Sequence, residues 1–447
     1  MAETEETISS KLPHAPISRL ARPITRFLHI QAASGVVLLI CTVVALILAN
    51  SSAAETFHQF WKTKVGFSFG EFEFRHSLKH LVNDGLMVIF FFVIGLEVKR
   101  ELVLGELRDI RRAALPVAAA LGGMIAPALI YWVYMSGGEG QRGWGIPMAT
   151  DIAFVVGCMA IFGSRVPHSL RIMMLSLAIA DDIGAILVIA IGYTNDLNIT
   201  WLGWGFAGIG AVFAIARLGV RSFPVYTAFG IFVWFAFHES GVHATIAGVI
   251  LGLMTPARSY VSEGLFGEVL ARVSKVFAGT EFGTLSHRAE KLREFQWIAR
   301  ETVSPLEYLE TTLHPWTSFV IMPIFALANA GVPFHLSELG APIAIAVMLG
   351  LVIGKPLGIV TFSWLAVKSG VASLPEGISW KVIFAGGCLA GIGFTMALFV
   401  AELALSDGLL ATAKIGVLAG SLLSAILGCT LLIVLLPKVA TSTTKES

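Results

Sequence analysis

The sequence predicts an all-α polytopic membrane protein of about twelve transmembrane helices, two of them interrupted, with a small β-hairpin between the first two. Three observations carry this prediction. Of the 447 residues, 56% are hydrophobic and only 14% charged, against about 25% charge in ordinary soluble domains; the mean hydropathy is +0.80. Apolar stretches long enough to cross a hydrocarbon layer of roughly 30 Å as helices recur along the chain. Proline and glycine fall inside several of these stretches, where a helix would break. The formal net charge of +1 gives no reason to expect nucleic acid as a partner. Cys41, Cys158, Cys388 and Cys429 lie in apolar surroundings without metal-ligand spacing and read as small packing residues.

In chain order, residues 1–30 hold Pro13, Pro16 and Pro23 with scattered arginines and lack a signal peptide's cleavage site. They read as a cytoplasmic N-terminal segment. A first span is expected at 32–48. Residues 64–75 then alternate apolar and polar, with Gly66 and Gly70 interrupting, which predicts an outer β-hairpin. A lone hairpin is marginal, so pairing with another subunit is expected. Further spans follow at 81–98 (carrying Asp84), 113–135, 146–162, 172–193, 201–216, 224–237 and 242–254. A mixed-charge insertion at 256–313, with an amphipathic segment at 287–300, reads as a solvated cytoplasmic loop with some helix. Spans resume at 316–329, 341–367, 382–404 and 412–436. The domain reading is therefore a membrane block over 31–255, the insertion, a second block over 314–437 and a cytoplasmic tail at 438–447.

Basic residues set the orientation. With the N-terminus inside, the inner loops collect Lys99, Arg100, Arg108, Arg111, Arg112, Arg165, Arg171, Arg217, Arg221, Lys368, Lys381 and Lys438, whereas the outer loops hold only Lys62, Lys64, Arg75, Lys79 and Arg142. Both termini are thereby expected in the cytoplasm.

The chemistry concentrates at four charged positions deep in apolar spans: Asp151, Asp181, Asp182 and Lys355. An aspartate at mid-membrane depth costs about 2.5–3.5 kcal/mol on insertion scales, and two in tandem resist joint ionisation. Such a pair is either a buried polar pair satisfied by neighbouring helices or a site that takes a cation or a proton. Carboxylate oxygens suit a hard cation such as Na+ or Li+, and the signs roughly balance if one acid is protonated and Lys355 pairs with another. Pro147 with Thr150-Asp151 predicts a helix that breaks and restarts, Thr or Asp capping the second half. The 382–404 span is expected to break at Gly391-Ile392-Gly393-Phe394-Thr395. Interrupted helices in the middle of spans three to five and ten to twelve point to inverted repeats around a midplane site.

Several stretches resemble the NhaA family of Na+/H+ antiporters. They are Val82-Asn83-Asp84-Gly85-Leu86-Met87, Gly95-Leu96-Glu97-Val98-Lys99-Arg100-Glu101, Ala149-Thr150-Asp151-Ile152-Ala153-Phe154 and Ala180-Asp181-Asp182-Ile183-Gly184. Gly241-Val242-His243-Ala244-Thr245-Ile246-Ala247-Gly248, His314-Pro315-Trp316, Ala326-Leu327-Ala328-Asn329-Ala330-Gly331, Gly354-Lys355-Pro356-Leu357-Gly358 and Gly391-Ile392-Gly393-Phe394-Thr395-Met396 continue the match, in order, over roughly residues 25 to 437. The resemblance implies an electrogenic, pH-regulated exchanger of Na+ or Li+ for protons in a bacterial inner membrane, with no cofactor. Asp182 would be the principal cation ligand, assisted by Asp181, at the base of a cytoplasmic funnel. Lys355 would pair with Asp181 or take part in proton exchange. Asp151 would neutralise helix N-termini where the broken helices cross, and Lys355 the facing C-termini. The resemblance further implies a pH-responsive cluster of Glu97, Glu101 and Glu310 at the funnel entrance, His243 on the outer side, and a homodimer through the hairpin. Near Glu310 the chain departs from the family pattern: Thr311 replaces a histidine and the preceding loop is longer.

Bland readings stand beside these. Glu97 and Glu101 fit solvated helix ends, and His243 and His314 fit interfacial or surface histidines. Two other classes compete: a proton-coupled symporter for an organic solute, and an intramembrane aspartyl protease using Asp151 and Asp181. The first would place aromatic or arginine side chains beside the acids, and the second would show a GxGD stretch at one of them. Neither pattern is present, and the chain is not expected to be an enzyme.

Overall fold

In hydrocarbon every backbone N–H and C=O must be satisfied within its own segment, so apolar runs become helices. A computed structural model describes residues 31–69, 72–194, 197–220, 222–259, 293, 302–375 and 377–436. The expected N-terminal segment, most of the insertion and the tail lie outside the described residues. Helix α1 (Gln31–Ala49) shows how such a helix is oriented. Val36, Leu39, Ile40, Val43, Val44 and Ile47 are exposed at helical spacing, whereas Leu38, Thr42 and Ala45 are buried. An apolar stripe on the outside is the inverse of a soluble helix and is what lipid contact selects.

A short helix that hydropathy did not reveal, α2 (Ala54–Lys62), follows at 113° to α1. The hairpin pairs β1 (Lys64–Phe69) with β2 (Phe72–Ser77) antiparallel, Lys64 opposite Ser77 and Phe69 opposite Phe72, and so runs two residues past its expected end. Ser77 caps α3 (Leu78–Val103), its hydroxyl accepting from the His80 N–H at 3.2 Å. Helices α4 (Ile110–Tyr134), α5 (Ile152–Ile161), α6 (His168–Gly192), α7 (Ile199–Arg217), α8 (Phe223–Glu239) and α9 (Thr245–Met254) complete the first block. The second contains α10 (Pro305–Asn329), α11 (Pro342–Lys368), α12 (Trp380–Ala390), α13 (Phe394–Ala404) and α14 (Asp407–Leu435). Among the described residues eight helices are long and apolar enough to cross a membrane, or ten if each bent pair is one span.

Two boundaries moved for local reasons. Helix α10 starts well before the expected residue 316, because Ser304 caps it, Pro305 occupies its first turn and Glu307 donates its N–H to the Ser304 hydroxyl at 3.2 Å. Helix α9 starts at Thr245, leaving His243 in the turn before it. Single π-turns widen α3 at Leu81–Leu86, α10 at Thr317–Ile321 and α11 at Gly350–Gly354.

Helices in lipid associate by close packing, which small residues permit. The α4–α11 contact is the tightest instance: a Cβ on Gly122 would sit 2.1 Å from the Gly358 carbonyl oxygen, and one on Gly358 2.0 Å from that of Gly122. This crossing lies one turn beyond Lys355 and fixes how near its helix comes to α4.

Candidate ion site at a crossing of two broken helices

The first break follows a 3-10 helix, Gln141–Met148, after which Ala149, Thr150 and Asp151 run extended before α5 begins. Pro147 cannot donate a backbone hydrogen bond, and the Asp151 carboxylate accepts from the Phe154 N–H at 3.3 Å, so the sequence both ends one half-helix and caps the next. The second break is Gly391-Ile392-Gly393, where α12 and α13 meet at 50°. Here the backbones come close: a Cβ on Gly391 would lie 2.4 Å from the Leu351 carbonyl oxygen.

The two breaks are bonded to each other. The Asp151 N–H donates to the Ile392 carbonyl at 2.7 Å, and the Thr150 hydroxyl to that of Ala390 at 3.0 Å. Thr395 donates its N–H to Asp151 Oδ2 at 3.1 Å, and its hydroxyl to the same oxygen. One carboxylate therefore faces the first turns of both α5 and α13, where the unsatisfied N–H groups carry partial positive charge. Lys355 faces the other polarity. Its ammonium donates to the Met148 carbonyl, at the end of the preceding half-helix, and to Asp181 Oδ2 at 2.7 Å.

Asp181 and Asp182 come from the middle of α6 and are 1% and 3% exposed, and Lys355 is fully buried. Asp181 Oδ1 and Asp182 Oδ1 are shielded from solvent without a hydrogen-bond partner among the described residues. Leaving such an atom orphaned costs about 1–3 kcal/mol, more if charged. The charges of Asp181, Glu97, Asp151 and Lys355 all bear on Asp182. Chemically this is a buried cluster with more carboxylate than ammonium, a donor set that suits a hard cation or protons. Asp151 is committed to Thr395 and Phe154 and Asp181 to Lys355, so the protease dyad weighed from the sequence has no counterpart in these contacts.

A cavity of about 810 Å³ reaches the first half of α6, lined by Glu101, Glu106, Arg108, Asp109, Ile172 and Ser176 among others. Ser176 lies five residues before Asp181 on α6, about 7.5 Å along the axis. Of the expected glutamates Glu101 lines the cavity, and Arg100 links that residue to a second one: it donates to Glu310 and lies 3.8 Å from Glu101. Glu101 and Glu310 are 9% and 7% exposed, so neither is a solvated helix end. Glu97, one turn earlier, feels Glu310, Arg100 and Glu101. His243 is elsewhere, its Nδ1 2.8 Å from the Thr245 hydroxyl and its Nε2 3.9 Å from Asp84.

Comparison with known proteins matches residues 25–432 to a family described as Na+/H+ antiporter 1. The chain belongs to that family. It is 58% identical to the Na(+)/H(+) antiporter NhaA of Rhodopirellula baltica, over 96% of this chain and 97% of that one. Identity to the antiporter NhaA of Rhizobium meliloti is 54% over 94% and 96%, and to NhaA 2 of Acidiphilium cryptum 48% over 94% of each. These relatives are named as transporters, and this family member is a polytopic membrane protein.

Lys355 is the basic residue that the sequence places deep in a span, but a second lysine, Lys414 toward the start of α14, is also buried, at 4% exposed. It contacts Glu402 and donates to the Asn329 carbonyl at 2.8 Å, and Lys79 reaches the same glutamate at 2.7 Å. Asn329 also donates to Asn83 at 2.7 Å, tying α10 to α3. Lys414 stands near the start of an apolar stretch, where a hydropathy window does not separate a buried lysine from one that snorkels to water.

Proposed function

We propose that this chain exchanges Na+ or Li+ for protons across a bacterial inner membrane, using Asp181 and Asp182 as the shared binding site. The observation that carries this reading is the pair of buried, half-satisfied carboxylates beside one lysine at the crossing of two broken helices. A cation and protons compete for the same oxygens, so the site holds one or the other, and that exclusion couples opposite fluxes. Asp182, with no ion-pair partner of its own, is the principal ligand; Asp181 alternates between Lys355 and the cation. Thr150, Asp151 and Lys355 keep the crossing electrostatically neutral.

In this reading the exchange is electrogenic, more protons moving than sodium ions, and Glu97, Glu101 and Glu310 with His243 set its pH response. The shorter helices α8 and α9 also cross in this reading, which would bring the ten candidate spans to twelve. The basic residues favour both termini in the cytoplasm. A two-stranded hairpin favours dimerisation, since a second copy would give it the neighbours it needs.

The test uses purified protein in liposomes. Imposed Na+ and Li+ gradients should drive opposite proton flux, read by a pH-sensitive dye, and Na+ should induce a current on a solid-supported membrane. Proton flux that ignores both cations would overturn the proposal, and flux without current would overturn its electrogenic part.

A further inference from the structure

Far from the aspartate pair, four histidines gather around Asp84. His76 ends β2, His80 lies in the first turn of α3, His238 in the last turn of α8, and His243 in the turn before α9. His80 Nε2 is 3.2 Å from Asp84 Oδ2, His238 Nδ1 3.6 Å from the same oxygen, and His243 Nε2 3.9 Å from Asp84 Oδ1. The rings of His76 and His80 stack with centroids 4.4 Å apart, and His238 stands edge-on to both at 5.6 Å. One nitrogen from each of His76, His80 and His238 falls within 4.8 Å of the others. We infer that His76, His80 and His238, with Asp84 as a fourth oxygen donor, form a binding site for a divalent transition-metal ion of the zinc class.

Donor chemistry selects that class of ion. Neutral imidazole nitrogen is a borderline donor that takes Zn2+ and its neighbours, whereas Na+, Mg2+ and Ca2+ prefer all-oxygen sites. Three nitrogens and one carboxylate suit the tetrahedral preference of zinc. Nitrogens bound to one zinc at 2.0–2.1 Å sit about 3.3 Å apart, so the three nitrogens would each close by no more than about 1.5 Å on one another to share an ion. His80 Nε2 supplies an independent sign. It is shielded from solvent and has no hydrogen-bond partner among the described residues, Asp84 lying 3.2 Å from it outside bonding geometry. Metal coordination would satisfy that atom.

His243, hydrogen-bonded to Thr245 and in contact with Asp84, orients the carboxylate and stays outside the ligand set. The spacing is legible in the chain: His76, His80 and Asp84 are four residues apart. His238 arrives from a distant helix. A bound ion would join the end of the hairpin to α8.

The experiment uses the full chain, purified without a histidine tag, in detergent micelles. Zn2+ is titrated against a chromophoric chelator, and bound metal is counted after dialysis. The expected result is one Zn2+ per chain, with affinity at least about tenfold weaker in His76→Gln/His238→Gln and unchanged in His58→Gln. X-ray absorption of the zinc-loaded wild type needs no variant and should show three imidazole ligands. Binding far below one per chain, equal affinity in the double variant, or a zinc shell without imidazole would each overturn the site.

Discussion

Two lysines are buried among apolar helices here, and their surroundings have opposite charge balance. Lys355 sits with two carboxylates beside it, Asp181 and Asp182, each with one oxygen that has no hydrogen-bond partner among the described residues. Lys414 shares a single carboxylate, Glu402, with a second ammonium, Lys79, and also caps the Asn329 carbonyl. A surplus of buried acid asks for a cation or a proton. A surplus of buried base repels both. Under the proposed function this difference separates a lysine that serves the ion site from a lysine that fastens helices, although both are ion-paired and nearly inaccessible.

The largest expected effect falls on the acids of the first region. Asp182→Asn keeps shape and loses the exchangeable proton and the ligand charge, so Na+-driven dequenching in everted vesicles should drop to that of empty vesicles while the protein still elutes as a folded species. Exchange at the wild-type rate would remove the site from this location. Next comes Lys355→Ala, which leaves Asp181 without its partner. Thermal stability in micelles should fall by about 3–5 kcal/mol, and Na+-induced current should weaken. Lys355→Arg sharpens the result, because a guanidinium stays protonated: retained current assigns the lysine a fixed counter-charge, and lost current assigns it a proton carried in each cycle.

Lys414→Met should cost less, about 1–3 kcal/mol for the orphaned Asn329 carbonyl, since Glu402 keeps Lys79. Exchange in liposomes should stay near wild type; a collapse of exchange would erase the distinction between the two lysines. The smallest effect is expected at the cavity edge. Glu97→Gln and Glu101→Gln remove negative charge near the acids, which eases proton release from the site and moves activation toward lower pH with little change in maximal rate. Unchanged pH profiles in both variants would leave these glutamates without a part in the response.

Much of this was readable because intramembrane charge is rare enough to stand out. The Asp181-Asp182 pair, Lys355 and both helix breaks announce themselves against uniform hydropathy, and the breaks fall at Ala149–Asp151 and Gly391–Gly393 as the residues foretold. Helix ends were less legible. A polar first turn such as that at Ser304-Pro305 carries capping signals but dilutes a hydropathy window. Beyond the Lys355–Asp181 pair that the family resemblance implies, contacts between distant helices were not legible. Lys414 meets Glu402, and His238 meets His80, only because the helices carrying them pack together, and no local spacing encodes that.

The π-turn at Gly350–Gly354 immediately precedes Lys355 on α11. A π-turn accommodates one residue more than an α-turn, and each residue of an α-helix advances the azimuth by about 100°. The aim of the Lys355 ammonium at Asp181 is thus a matter of helical phase. If the extra residue migrated past Lys355 toward the C-terminus, the side chain would swing by about that angle off Asp181, while the helix exchanged one set of backbone hydrogen bonds for another. A local change of winding would then release the carboxylate from its partner, with no helix crossing the membrane having to tilt or unfold.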